Sequence, residues 1–438
     1  MALFGTSGIR GVFGREVTGE LALAVGRAVV RAVDDRVVVA RDTRASGLAL
    51  ENAFVAGVLE AGGEVLRAGI APTPALALAS KRRGCAGAMM TASHNPPEYN
   101  GIKLFERGNE LSARGERRVE RAMGKARVTA GGVDERLEGV VEEHIALALA
   151  GVDVGTISER APKVVVDSAN GAASVATPYA LRRAGCKVVG LNCDVSGDFA
   201  RGLEPNETNL QRTGAFVRAC GADFGIAHDG DGDRCVILDE RGKMLGLDVQ
   251  LALMAGKALE KRKGVIVTTV EASLAVREAV EERGGRLIIT PVGSRGVAEA
   301  MRRSAAVFGG EPCGEYIFPG ELTVPDGIAT ALHFAEMFAE AGKLSELASQ
   351  IKVYPMRRAK IPCSNKERAM AVIRREASRL GGRQSTIDGV RVDFEEGWML
   401  IRPSGTEPVI RITCEHHSEK GLRELWAKAQ AIVKRAVR

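Results

Sequence analysis

Three times along the chain, a short run of β-branched residues ends in a small polar loop and gives way to sequence with helical periodicity. Val37-Val38-Val39-Ala40 runs into Arg41-Asp42-Thr43-Arg44, Val164-Val165-Val166 into Asp167-Ser168-Ala169-Asn170-Gly171, and Val265-Ile266-Val267 into Thr268-Thr269. In each third a later strand delivers a glycine-rich loop: one at Ser93, one at Asp231, and one from Phe308 to Tyr316. Apolar runs bounded by turn residues and alternating with helices predict α/β domains, whose ligands bind beyond the strand ends. From about residue 356 the pattern changes to a helix over 366–380, strands around 389–393 and 398–401, a loop Arg402–Pro408, a strand to Cys414 and a last helix from Glu419. The expected fold class is therefore α/β: three similar mixed α/β domains (1–152, 153–250 and 251–355) plus a smaller C-terminal α+β domain (356–438) around a central cleft onto which the loops open.

The loops carry the candidate chemistry. Gly87-Ala88-Met89-Met90-Thr91-Ala92-Ser93-His94-Asn95-Pro96 sets a hydroxyl at the exit of a small-residue strand, closed by Asn-Pro. Taken alone, Ser-His-Asn-Pro is accounted for by an ordinary turn. Asp229-Gly230-Asp231-Gly232-Asp233-Arg234 is more demanding, because alternate aspartates repel one another unless a cation compensates them. Asp229, Asp231, Asp233 and Glu240 match the first, third, fifth and twelfth positions of an EF-hand loop, but Arg234 stands where that loop needs glycine. Strand-like flanks, Phe224–Ala227 and Cys235–Leu238, also argue against the EF-hand and for a magnesium cage on a hairpin. A phosphorylatable serine with such a cage points to phosphoryl transfer. In the last domain, Ser404, Thr406 and the backbone around Gly405 can form an anion-binding concavity, to which Arg402 and Arg411 add charge.

Composition narrows the setting. With 438 residues, 45% hydrophobic and 26% charged, the chain has the make-up of a multidomain soluble protein. No membrane span or secretory signal is visible, so the expected location is the cytoplasm. The eight cysteines form no Cys-x-x-Cys pair and read as reduced core residues. The net charge of +6 is spread along the chain with few aromatics, which speaks for small anionic substrates and against nucleic acid. The sequence sets no oligomeric state.

Taken together, Thr91–Pro96, Asp229–Arg234, Gly310-Glu311-Pro312-Cys313-Gly314 and Arg402–Pro408, with the opening Phe4-Gly5-Thr6-Ser7-Gly8-Ile9-Arg10-Gly11, closely resemble the α-D-phosphohexomutase family in order and spacing over essentially the whole chain. The resemblance implies a mutase that interconverts hexose 6-phosphate and 1-phosphate through a phosphoserine at Ser93 and a bisphosphorylated sugar. Asp229, Asp231 and Asp233, with an oxygen of the Ser93 phosphate, would hold one Mg²⁺, and a bisphosphorylated hexose would act as activator. Arg10, Lys103 and Arg234 match the family's catalytic basic residues. Lys103 suits an acid/base role if its pKa is lowered, and simple phosphate binding is equally compatible with Lys103 and Arg10; His94 suits an orienting role. Many family members read Glu-x-Ser-Gly-His in the sugar loop, where this chain has Glu311-Pro312-Cys313-Gly314-Glu315. Glu311 can accept from two sugar hydroxyls, Cys313 is a weak partner, and the extra carboxylate of Glu315 would favour a protonated amino sugar, with pairing to an arginine as the alternative. Glucosamine phosphate is accordingly the expected substrate, with phosphomannomutase/phosphoglucomutase activity as the alternative. A phosphatase with an aspartate nucleophile and a non-catalytic sugar-phosphate sensor are readings from other classes.

Overall fold

A computed structural model describes residues 3–5, 8–124, 131–405 and 407–437. These residues fall into two compact units, one of residues 1–250 with 313–348 and one of residues 251–312 with 349–438.

In the first unit the strands Ile9–Val12, Tyr99–Glu106, Ala86–Met90, Arg36–Arg41, Glu64–Ile70 and Val133–Arg136 lie side by side in that order, and Asn109–Glu110 pairs with Tyr99–Glu106. The inner strands run parallel and Tyr99–Glu106 runs antiparallel to both its long neighbours. Val37, Val38, Val39 and Ala40 are completely buried, as expected of a parallel strand covered on both faces. A second sheet in this unit orders Cys235–Leu238, Phe224–His228, Lys163–Asp167 and Lys187–Leu191, with only the first of these antiparallel. The β-branched run 164–166 thus forms a central strand, as its composition predicts.

In the second unit Val265–Thr269 lies between Arg286–Thr290 and Phe308–Glu311, all parallel. The C-terminal part is a five-stranded antiparallel sheet in the order Met356–Pro362, Val409–His416, Gly397–Pro403, Val390–Asp393, Arg383–Ser385. The helices Lys366–Ala377 and Glu419–Ala436 contribute to its core, capped by the side chains of Asn365 and Ser418. The architecture is that expected of three α/β domains and an α+β domain. The eight cysteines are free thiols. Among the described residues no helix is long and apolar enough to cross a membrane.

Candidate active site

Strand register does the first part of the positioning. Arg10 lies opposite Gly101 and Lys103 opposite Met89, so the two cations share one face of the sheet near the end of Ala86–Met90. The chain then turns at Ser93, whose φ of 52° is a left-handed conformation rarely adopted by a residue with a side chain. Several hydrogen bonds hold that turn. Ser93 N–H donates to Thr91 Oγ1 at 2.8 Å and Thr91 Oγ1 donates to Asp42 at 2.6 Å. The completely buried Arg44 places its Nε on Asp42 at 3.0 Å and its terminal nitrogens on the carbonyls of Ser93, Asn95, Pro96 and Tyr99 at 2.6–2.8 Å. Arg44 was not among the residues expected from sequence, although it stands in the polar loop that closes the first β-branched run.

The acidic loop is the hairpin between Phe224–His228 and Cys235–Leu238, with Gly232 at φ 72°. Strands on both sides remove the EF-hand. Asp229, Asp231 and Asp233 are buried, and one carboxylate oxygen from each lies within 4.8 Å of the others. Ser93 Oγ donates to Asp229 Oδ2 at 2.7 Å, so the serine and aspartate loops meet at the candidate nucleophile. Thr73 and Lys103 both donate to Asp231 Oδ2, each at 2.6 Å, and Lys103 also reaches Asp233 Oδ2 at 2.8 Å. Asp231 Oδ1 and Asp233 Oδ1 are buried with no hydrogen-bond partner among the described residues. Burial and the neighbouring carboxylates push Asp229 well above the usual carboxylate range, and burial with Asp231 pushes Asp233 up to about 6. Burial would raise Asp231 too, but the Lys103 ammonium and the Thr73 hydroxyl outweigh it and hold that carboxyl below the usual range. Three convergent carboxylates, two orphaned oxygens and raised pKa values at Asp229 and Asp233 describe an oxygen-only cage that one lysine does not neutralise, which a hard divalent cation fits.

One condition is not met and one expectation needs correction. Lys103 does not have a lowered pKa: burial works in that direction, but Asp231 and Asp233 outweigh it and hold the ammonium protonated well above its ordinary range. Nor does Glu315 offer an unpaired carboxylate, because its Oε1 lies 3.0 Å from Arg234 Nε and 2.9 Å from Nη2. Arg234 Nη1 donates to Glu204 at 3.0 Å, and Glu204 Oε2 lies 3.4 Å from His94 Nε2. His94 Nδ1 is 3.3 Å from Ser93 Oγ. Burial and the Arg234 and Arg10 cations press the His94 pKa far down, so the ring is neutral. Arg10 reaches Asn95 Oδ1 at 3.3 Å, beside the serine turn. Glu204 is a second residue that sequence reading missed; Leu203-Glu204-Pro205 offers no local sign of the arginine it binds.

Glu311 and the anion loop belong to the second unit, Cys313 and Glu315 to the first. Glu311 is buried and accepts from Gly293 N–H at 3.0 Å. Arg402 and Arg411 face each other across the sheet. Arg402 is held by Asp388 at 3.1 Å and Arg411 by Glu407 at 3.0 Å. Lys366 Nζ donates to the carbonyls of Ser404 and Glu407, and Ser404 Oγ accepts from Glu407 N–H at 3.2 Å. Gly405 is exposed at the tip, and Thr406 lies outside the described residues. Lys366 is a third cation at this loop that the sequence did not flag.

The four parts of the chain match family models described as phosphoglucomutase/phosphomannomutase: α/β/α domain I over residues 1–129, domain II over 142–242, domain III over 248–354 and the C-terminal domain over 359–431. A probable phosphoglucosamine mutase of Thermococcus kodakarensis is 43% identical over 99% of this chain and 98% of its own length. A phosphoglucomutase/phosphomannomutase of the same organism is 40% identical over 96% of each chain. Among solved structures, a phosphoglucomutase/phosphomannomutase family protein from Burkholderia thailandensis superposes with a TM-score of 0.90 at 29% identity, covering 99% of this chain and 97% of the other.

Proposed function

The chain belongs to the phosphoglucomutase/phosphomannomutase family and is a hexose-phosphate mutase, and on that footing we propose that Ser93 is its phosphoryl carrier and glucosamine 6-phosphate its substrate. The observation that carries the first part is the 2.7 Å contact of Ser93 Oγ with Asp229, at the edge of a carboxylate cage flanked by Lys103. A hydroxyl group of the sugar attacks the phosphorus on Ser93, the P–Oγ bond breaks, and the proton lost by the sugar hydroxyl is made good on Oγ. The resulting bisphosphorylated sugar returns its other phosphate to Ser93, which makes the same bisphosphate an activator of unphosphorylated enzyme.

Asp229, Asp231 and Asp233, with an oxygen of the Ser93 phosphate, would hold one Mg²⁺, which supplies neutralisation of charge on the transferring group. Lys103 and Arg10 add fixed positive charge at the same strand ends, and Lys103, being protonated, serves as cation and acid before it can serve as base. Arg402, Ser404, Gly405, Thr406 and Arg411 form a phosphate-binding loop, supported by the oppositely placed arginines and the Lys366 staple. Glu311 is a sugar-hydroxyl acceptor on a buried strand end.

The choice of glucosamine rests on the relatives named phosphoglucosamine mutase, not on the charge of Glu315, which is paired with Arg234. Glucose and mannose phosphates are the second reading, favoured by the relative named phosphoglucomutase/phosphomannomutase. Comparing kcat/KM for glucosamine, glucose and mannose 6-phosphates tests the choice. The highest value for glucosamine supports it, and equal or lower values turn the assignment to the neutral sugars.

A further inference from the structure

We infer that Glu204 and Glu315 are positioning residues that clamp the Arg234 guanidinium beside the Ser93–His94 turn, so that Glu315 acts on the reaction through Arg234 and not by contact with the sugar. The inference deepens the mutase reading and rests on it for its kinetic consequences.

The geometry lies within the first unit. Arg234 N–H donates to Asp229 Oδ1 at 3.3 Å, and the other oxygen of Asp229 receives the Ser93 hydroxyl, so the arginine backbone is two contacts from the nucleophile. Its guanidinium is then gripped on two edges. Glu315 Oε1 takes Nε and Nη2, and Glu204 Oε1 takes Nη1. Glu315 itself is fixed by main chain: Arg234 and Glu315 form an antiparallel bridge, and Cys235 N–H donates to Gly314 O at 3.0 Å. The second oxygen of Glu204 lies 3.4 Å from His94, which abuts Ser93.

A guanidinium on a flexible stem can pivot about a single carboxylate, whereas carboxylates on two edges set both its plane and its position. Two anions on one cation make the Arg234, Glu204 and Glu315 group net negative, so it does not attract a phosphate at long range and its contribution must come from where the remaining Arg234 donors point. That arrangement suits a group needed only in the transition state.

The test is a set of variants, Glu315→Gln, Glu204→Gln, Arg234→Ala and the Glu315→Gln/Arg234→Ala pair, assayed with glucosamine and glucose 6-phosphates. A positioning role lowers kcat about 10- to 100-fold in each Gln variant while KM moves less than about twofold, by the same factor for both sugars. It also makes Glu315→Gln cost nothing further once Arg234 is gone. A KM increase confined to one sugar, or a full Glu315→Gln penalty in the Arg234→Ala background, overturns the inference by placing Glu315 on the substrate. If Glu315→Gln fails to fold, Glu204→Gln carries the test on a more exposed side chain. Independently of turnover, the ¹⁵Nε–¹H signal of Arg234 should be protected from exchange in the wild type and lose that protection in Glu315→Gln. An unchanged signal overturns the clamp, whereas a wild type that converts no hexose phosphate overturns the mutase reading alone.

Discussion

Gly230 approaches Ser93 so closely that a Cβ on the glycine would stand 2.6 Å from the serine carbonyl oxygen. No side chain fits there without parting the two loops, so the distance between nucleophile and carboxylate cage is written into a residue with no side chain. Gly230→Ala should lower kcat about 10- to 100-fold through misplacement while circular dichroism shows the fold retained. An unchanged kcat would mean that the loop contact does not set the geometry of transfer.

Arg44 and Asp42 are both fully buried, and four carbonyls of the serine loop depend on the arginine. Arg44→Met leaves the buried Asp42 carboxylate without its cation and removes the four hydrogen bonds to those carbonyls, which should cost about 3–5 kcal/mol in urea denaturation of the folded protein. Arg44→Lys should recover only part of the loss, because an ammonium cannot reproduce the planar fork.

Loops with local chemical logic were legible in the sequence: alternate aspartates on a hairpin, a serine before Asn-Pro, arginines around a Pro-Ser-Gly turn. So were the β-branched strands, which the structure places at Arg36–Arg41, Lys163–Asp167 and Val265–Thr269. Partnerships across long separations were not. Arg44 meets Ser93 at a separation of 49 residues, Thr73 meets Asp231 at 158, and Glu315 meets Arg234 at 81. The protonation state of Lys103 was not legible for the same reason: burial could be inferred from its strand, but the two aspartates that reverse the effect of burial lie 128 and 130 residues away.

Asp326 caps the helix Gly327–Ala341 and contacts His144 at 2.7 Å. Burial would raise its pKa, but His144 and the helix N–H groups outweigh burial and hold it below the ordinary value of 3.8. A depressed folded-state pKa contributes stability that is present above the unfolded value and lost as pH falls through the folded one. Wild-type stability should therefore fall below about pH 4, and Asp326→Asn should lessen that fall while lowering stability at neutral pH. An acid limb of equal steepness in both proteins would contradict the assignment.

The carboxylate cage predicts a cation effect visible without turnover. Mg²⁺ should raise the melting temperature, by the equivalent of about 2.7 kcal/mol at a hundred times its dissociation constant. Asp231→Asn should abolish the increment and the activity together. The same increment in Asp231→Asn and wild type would place the cation elsewhere.

The central claim is that Ser93 carries the phosphoryl group, and the most direct measurement follows that group. Enzyme labelled with ³²P at Ser93 is mixed with one equivalent of glucosamine 6-phosphate, stopped within a single turnover and separated. The account predicts that label leaves the protein and appears first in the bisphosphorylated sugar, then in sugar monophosphate, and that Ser93→Ala takes up no label. Label released as inorganic phosphate, or full turnover by Ser93→Ala, would contradict it.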